Sequence, residues 1–403
     1  MTQITRQEFL HAAGIGAVTA ATVSLPGATA RAAEVSLPTP LQDLPTPALL
    51  IDGPAFERNI KKMAEHLAAH GVKLRPHAKT HKSADIARKQ LGAGAIGICC
   101  AKVSEAETLA REGIGPLLVT SPLTTADKAA RFVALAKTQP EALVVVDSEL
   151  GAEVLAQAAR EAGITAGVLI DLDVGTRRTG VTCGEPAVAF AKHVAARPEL
   201  KLHGVQAYAG HLMHVDGYDI RRQRSLEALG TAAGTRKAIE AAGIPCPIFS
   251  GGGTGTFDID IEVPGITDLQ CGSYLFMDVQ YRLIGGPGSE LLDTFEPTLF
   301  VWSTAISQPA EGRITVDAGY KALSNENVRP MLLDHPNTKY SWGGDEHGIL
   351  SLGEGDPPIR LGDKVKIFIA HCDPTVNLYD HYHVVRDGQV VEQWPVTARG
   401  CSQ

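Results

Sequence analysis

From residue 49 to about residue 277 short apolar runs alternate with amphipathic stretches at strand–helix spacing, and that rhythm restricts the folds open to this chain. The runs fall at 48–51, 94–99, 116–119, 143–146, 167–172, 202–208, 248–250 and 268–270. Helical patterns lie between them, for example at 54–70, 84–91, 104–112, 150–162 and 186–195. Eight such alternations are what a closed parallel barrel needs. An open doubly wound sheet is the alternative, but no Gly-x-Gly-x-x-Gly follows the first run. The expected class is α/β, a (β/α)8 TIM-type barrel with a second, smaller β domain. That second domain is read from the change of texture past Asp278, where 295–308, 313–317, 364–370 and 383–393 look like strands separated by glycine turns.

The N-terminus differs in kind. Arg6-Gln7-Glu8-Phe9-Leu10 leads into a small-residue apolar run and ends in Ala28-Thr29-Ala30-Arg31-Ala32-Ala33, the pattern of an export signal. It is similar to a twin-arginine leader, with Gln7 in place of the second arginine. The run is too short and too rich in Ala and Gly to read as a membrane span. The expected organisation is a leader at 1–33, a linker marked by prolines at 34–47, a barrel at 48–285 and a β domain at 286–403. The leader implies a periplasmic location, or a cytoplasmic one if it is not used. A formal charge of −8 and a pI near 6.0 argue against a nucleic-acid partner. Seven cysteines, an odd number with no Cys-x-x-Cys, indicate neither a disulfide framework nor a zinc ribbon.

Five segments carry chemistry. Arg75-Pro76-His77-Ala78-Lys79-Thr80-His81-Lys82 offers a lysine at a barrel mouth, where packing and neighbouring cations would lower its pKa and make the amine nucleophilic. Ser250-Gly251-Gly252-Gly253-Thr254-Gly255-Thr256 follows a late strand, and its glycines let backbone N–H groups approach a phosphate. No Gly-Lys-Ser/Thr closes it, so it is not a Walker loop. Arg177 and Arg178 end another strand and suit an oxyanion. Tyr208 ends a further strand and could pack against a flat cofactor, with His214 nearby as a general base. Finally, His371 and Asp373, read as the end of a strand, would face the same way and share one hard divalent ion, with Cys372 turned away.

Together these segments resemble the fold-type III pyridoxal-phosphate enzymes, specifically the D-threonine aldolase and D-serine dehydratase family. The resemblance runs from Thr46-Pro47-Ala48-Leu49 to His371-Cys372-Asp373-Pro374-Thr375. It implies that Lys79 bonds covalently to the aldehyde of pyridoxal 5'-phosphate. Thr254 and the backbone around Gly252, Gly253, Gly272 and Ser273 would hold the phosphate. Arg178 would sit beside the phenolic oxygen, and Tyr208 would contact the cofactor. Gln270 stands where alanine racemases place the arginine that faces the pyridine nitrogen, a departure that counts against racemase activity. The family also implies a head-to-tail homodimer.

Dehydratases of this family show His-x-Cys as metal ligands; His371-x-Asp373 matches the aldolase branch. The expected reaction is retro-aldol cleavage of a D-β-hydroxy-α-amino acid to glycine and an aldehyde. A divalent ion (Mn²⁺ first, with Mg²⁺, Co²⁺ or Zn²⁺ as alternatives) would bind the substrate hydroxyl. His214 would take the hydroxyl proton, and Asp345 or His347 would support from further out. The alternative is β-elimination from D-serine or D-3-hydroxyaspartate to ammonia and a 2-oxo acid. A racemase or a non-catalytic cofactor-binding protein are the remaining readings.

Overall fold

The computed structural model describes residues 36–403, and the leader expected at 1–33 lies outside the described residues. Eight parallel strands follow one another around a ring: Lys73–Leu74, Ile98–Cys100, Leu117–Val119, Leu143–Val146, Ala166–Asp173, Leu200–Ala207, Ile248–Gly251 and Asp268–Leu269. The last pairs with the first through Asp268–Lys73 and Leu269–Leu74, and a bridge between His77 and Cys99 joins the first to the second. The ring is therefore closed. Runs such as Leu143-Val-Val-Val146 form strands because they are buried on both faces, which suits parallel strands covered by helices. Cys99, Leu118, Leu143, Val145 and Leu169 pack together as one buried cluster.

The covering helices are amphipathic and punctuated. Helix Glu149–Ala162 begins where the Ser148 hydroxyl accepts from the Gly151 N–H at 3.2 Å and stops at Gly163, whose φ of 67° is left-handed. Its buried residues Gly151, Ala152, Leu155, Ala156 and Ala159 lie on one face.

One strand is placed differently from the sequence reading. Ala48–Asp52, read as the first barrel strand, lies in a second, mixed sheet, antiparallel to Leu299–Trp302 and parallel to Tyr382–Val385. The barrel opens instead with Lys73–Leu74, two residues long and without an apolar run. An apolar strand buried on both faces suits either sheet, so hydrophobicity alone does not assign it. The mixed sheet also holds Arg313–Val316, Lys339–Trp342, Gly348–Ser351, Lys364–Phe368, and a hairpin of His381–Arg386 with Gln389–Pro395. That hairpin spans what the sequence pattern gives as a single strand at 383–393. The chain reverses at Asp387-Gly388, with φ of 48° and 73°, the turn that Asp-Gly favours.

The stretch marked by prolines and read as a linker packs against this sheet. Thr39–Pro40 pair with the last strand, Leu44 is buried, and the Lys364 ammonium donates to the Gln42 and Leu44 carbonyls at 2.6 Å each. All seven cysteines are free. No helix among the described residues is long and apolar enough to cross a membrane.

Candidate active site at the barrel mouth

The first barrel strand is followed at once by Arg75-Pro76-His77 and a single helical turn, Ala78–Thr80. His77 accepts from the Lys79 N–H through Nδ1 at 3.3 Å, and its Nε2 lies 3.0 Å from the Thr120 hydroxyl. Burial holds the His77 imidazole neutral, at about 3, with the Lys79 charge adding to the effect. This turn delivers the Lys79 side chain into a cavity of about 310 Å³ at the mouth of the barrel. The same cavity is lined by Arg178, Tyr208, Gly253, Thr254, Gln270, Gly272 and Ser273. Its lining includes two cations, Lys79, whose carboxylate partner lies beside the cavity, and Arg178, which suits an anionic ligand.

The glycines are set by close approach. A Cβ on Gly253 would lie 2.5 Å from the Met213 sulfur, and one on Gly272 would lie 2.4 Å from the Thr80 hydroxyl. Gly252 turns the chain at φ +70° just behind them. The Thr254 hydroxyl accepts from the Tyr274 N–H at 3.0 Å. These two loops form a cradle that only backbone can line, and pyridoxal phosphate fits it. Arg178 lies over the Tyr208 ring at 5.4 Å. Burial raises the Tyr208 phenol above its usual range, so it stays protonated. Gln270 donates through Nε2 to Gln206 Oε1 at 3.1 Å and to the Ser250 hydroxyl at 2.9 Å.

The wall nearest Lys79 comes from the second domain. His371 caps the start and Asp373 is the second residue of a short helix, Cys372–Val376, rather than ending a strand as the sequence pattern suggested. The proline at 374 suits the first turn of a helix, where its missing N–H costs nothing. The two side chains nonetheless lie close together. His371 Nε2 lies 3.8 Å from Asp373 Oδ2, while the Cys372 thiol is buried and directed to the Met277 carbonyl. Asp373 ion-pairs with Lys79 and accepts from the Thr80 hydroxyl at 3.3 Å.

That ion pair corrects one expectation. Burial taken alone would lower the Lys79 pKa, but the Asp373 carboxylate outweighs it and raises the amine above its ordinary value. In turn Asp373, which burial would raise, is held at about 2 by Lys79 and then His371. The lysine is thus a charged ammonium in this state, not an activated amine.

Asp278, which the sequence did not flag, sits behind this wall. Its carboxylate accepts from the Tyr281 N–H at 2.8 Å and the Cys372 N–H at 3.0 Å, and lies 3.3 Å from His371 Nδ1. A carboxylate behind an imidazole orients a ring that binds metal through its other nitrogen. His371 and Asp373 therefore fit an ion held by two protein donors, with its remaining positions left to water and substrate. Among the described residues no three His, Cys, Asp or Glu side chains converge on one ion.

His214 is brought to this wall without lining the cavity. Its ring packs 4.4 Å from Tyr281 and 6.2 Å from His371, and burial lowers its pKa, leaving it able to accept a proton. Asp345 and His347 are not brought there. Both are exposed in the loop between Lys339–Trp342 and Gly348–Ser351, and neither lines the cavity of its own chain. Gln206 was legible in principle, since it lies two residues before Tyr208 in the run read as a strand at 202–208.

The chain is similar to known proteins in sequence and in fold. Residues 51–280 match the model of the alanine racemase N-terminal domain, and residues 298–385 match that of a serine dehydratase domain. A 3-hydroxy-D-aspartate aldolase of Paracoccus denitrificans (strain Pd 1222) is 38% identical over 362 residues, 89% of this chain and 93% of that protein. A D-threonine aldolase of Arthrobacter sp. is 36% identical over 364 residues, 90% of this chain and 95% of that one. The crystal structure of a D-threonine aldolase from Filomicrobium marinum superposes with a TM-score of 0.87 at 39% identity, covering 92% of this chain and all of that one, 100%.

Proposed function

The chain belongs to the family of fold-type III pyridoxal-phosphate enzymes that contains the D-threonine aldolases and D-serine dehydratases, and from that premise we propose that it is an aldehyde-lyase of the D-threonine aldolase type. It cleaves the Cα–Cβ bond of a D-β-hydroxy-α-amino acid, giving glycine and an aldehyde. One observation carries the choice over β-elimination. The side chain that pairs with Lys79 at the cavity wall is the carboxylate two residues beyond His371, while Cys372 is buried and faces away. The relatives named above, at 36 to 39% identity, are aldolases.

When bound, pyridoxal phosphate supplies the electron sink for the pair released as the Cα–Cβ bond breaks. The protein supplies position and charge. Lys79 would anchor the cofactor's aldehyde carbon, and the backbone at Gly253, Gly272 and Ser273 with the Thr254 hydroxyl would hold its phosphate. Arg178 places a fixed positive charge on the same lining. His371 and Asp373 would hold a divalent ion, manganese by preference, which would polarise the substrate's β-hydroxyl. His214, neutral by burial, is the nearby group able to take the proton from that oxygen. Asp278 keeps the His371 ring in place.

We propose a homodimer as well, in which the exposed loop bearing Asp345 and His347 approaches the partner's site; the mass in solution tests it. Export to the periplasm rests on the 1–33 pattern and is checked by the mass of the chain recovered from that compartment. The reaction itself is tested by offering D-threonine, D-serine, D-phenylserine and 3-hydroxyaspartate with and without Mn²⁺ and identifying the products. Release of glycine together with the aldehyde (glyoxylate from 3-hydroxyaspartate) supports the proposal, and ammonia with a 2-oxo acid and no glycine overturns it.

A further inference from the structure

Beneath the cavity a chain of buried side chains crosses the barrel, and its hydrogen-bond directions can be assigned from chemistry alone. The Gln206 Nε2 lies 2.9 Å from Asp171 Oδ1 and 3.3 Å from the Thr120 carbonyl oxygen. A carboxylate and a carbonyl only accept, so the amide nitrogen must face them and Gln206 Oε1 must point away. That oxygen receives Gln270 Nε2 at 3.1 Å. At the other end, Arg75 Nε donates to Asp268 Oδ1 at 3.1 Å, and the Ser250 hydroxyl donates to the same oxygen at 2.5 Å. With its proton committed, Ser250 Oγ accepts from Gln270 Nε2 at 2.9 Å. Both Nε2 hydrogens of Gln270 are thus used inside the barrel. What this cavity-lining side chain has left for an occupant is its carbonyl oxygen.

We infer that Gln206 and Ser250 are positioning residues that lock Gln270 with Oε1 toward the cavity, so that a pyridoxal ring seated there keeps a proton on its ring nitrogen. The inference rests on the function proposed above. The phosphate and phenolate of that ring only accept, and its methyl group does neither. Among the ring nitrogen, phenolate, phosphate and methyl group, only a protonated ring nitrogen can donate to Gln270 Oε1. A positively charged ring is the stronger electron sink, which is the demand that carbon–carbon cleavage makes.

The test loads the protein with pyridoxal phosphate labelled with ¹⁵N in the ring and follows the ¹⁵N chemical shift from neutral to alkaline pH. The wild type should show the shift of a protonated ring nitrogen at neutral pH. Gln206→Met, which keeps the volume but removes the orienting acceptor, should lower the ring nitrogen's apparent pKa by about one unit, a tenfold loss of proton affinity. If Gln206→Met does not fold, Ser250→Ala removes one oxygen at the other end and should move the shift in the same sense. A neutral ring nitrogen in a wild type that cleaves substrate overturns this inference alone, as does a pKa unmoved by these changes. A wild type that takes up no pyridoxal phosphate overturns the proposed function and this inference with it.

Discussion

Lys79 and Asp373 form an ion pair across 294 residues of sequence, joining the turn after the first barrel strand to the short helix that opens in the mixed-sheet domain. Lys79 lines the cavity, with 41% of its side chain accessible, and its partner Asp373, with 17%, lies beside it. The candidate site is therefore made by the meeting of the two halves of the chain.

Lys79→Ala removes the amine that would bond the cofactor. The visible absorbance of the lysine-bound cofactor should vanish, and turnover should fall on the order of 10,000-fold. Persistence of that absorbance in the variant would show that the anchoring amine is elsewhere.

Asp373→Ala removes one of the two proposed metal donors and should spare the bound cofactor. It should also abolish the rise in activity that added Mn²⁺ gives the wild type, and chelation of the wild type should reproduce the loss. Turnover indifferent to chelation would remove the ion from the account.

Gly272→Ala would place a Cβ 2.4 Å from the Thr80 hydroxyl and 3.2 Å from the His77 carbonyl, next to the turn that carries Lys79. Overpacking of this kind costs roughly 1–3 kcal/mol. Weaker retention of pyridoxal phosphate on dialysis is expected, with an increase in the dissociation constant of about tenfold or more. Affinity equal to wild type would mean that the cradle tolerates a side chain there.

Asp260 lies beneath the glycine loop, fully buried, accepting from the Ser225 hydroxyl at 2.6 Å and from the Thr256 hydroxyl. Burial pushes its carboxyl up to about 7, with Ser225 and Thr256 pulling the other way. The folded state therefore binds this proton more tightly than the unfolded one. Its contribution to stability is fully present below about pH 4 and is lost as pH rises toward 7, with a ceiling of roughly 4 kcal/mol. Asp260→Asn keeps the hydroxyl partners and removes the titration. Urea unfolding at several pH values should show a flatter stability profile between pH 4 and 7 in the variant, and superimposable profiles would rule out this role.

Much of the barrel is readable from the chain because its strands are buried on both faces. Leu117–Val119 and Leu143–Val146 stand out as apolar runs. Lys73–Leu74 does not, since two residues carry no pattern and their place in the ring comes from pairing with Asp268–Leu269. The glycine loop and Lys79 are local motifs and could be found as such. Asp278 could not, because its value lies in reaching His371 and, 94 residues away, Cys372. The charge on Lys79 was misread for the same reason. A neighbouring cation was expected, and the fold supplies an anion instead.

The product pair formed from D-threonine by the holoenzyme with Mn²⁺ tests the central claim most directly. Glycine and acetaldehyde in equal amounts, with no ammonia, is the predicted result. Ammonia and 2-oxobutanoate in equal amounts, with no glycine, would contradict it.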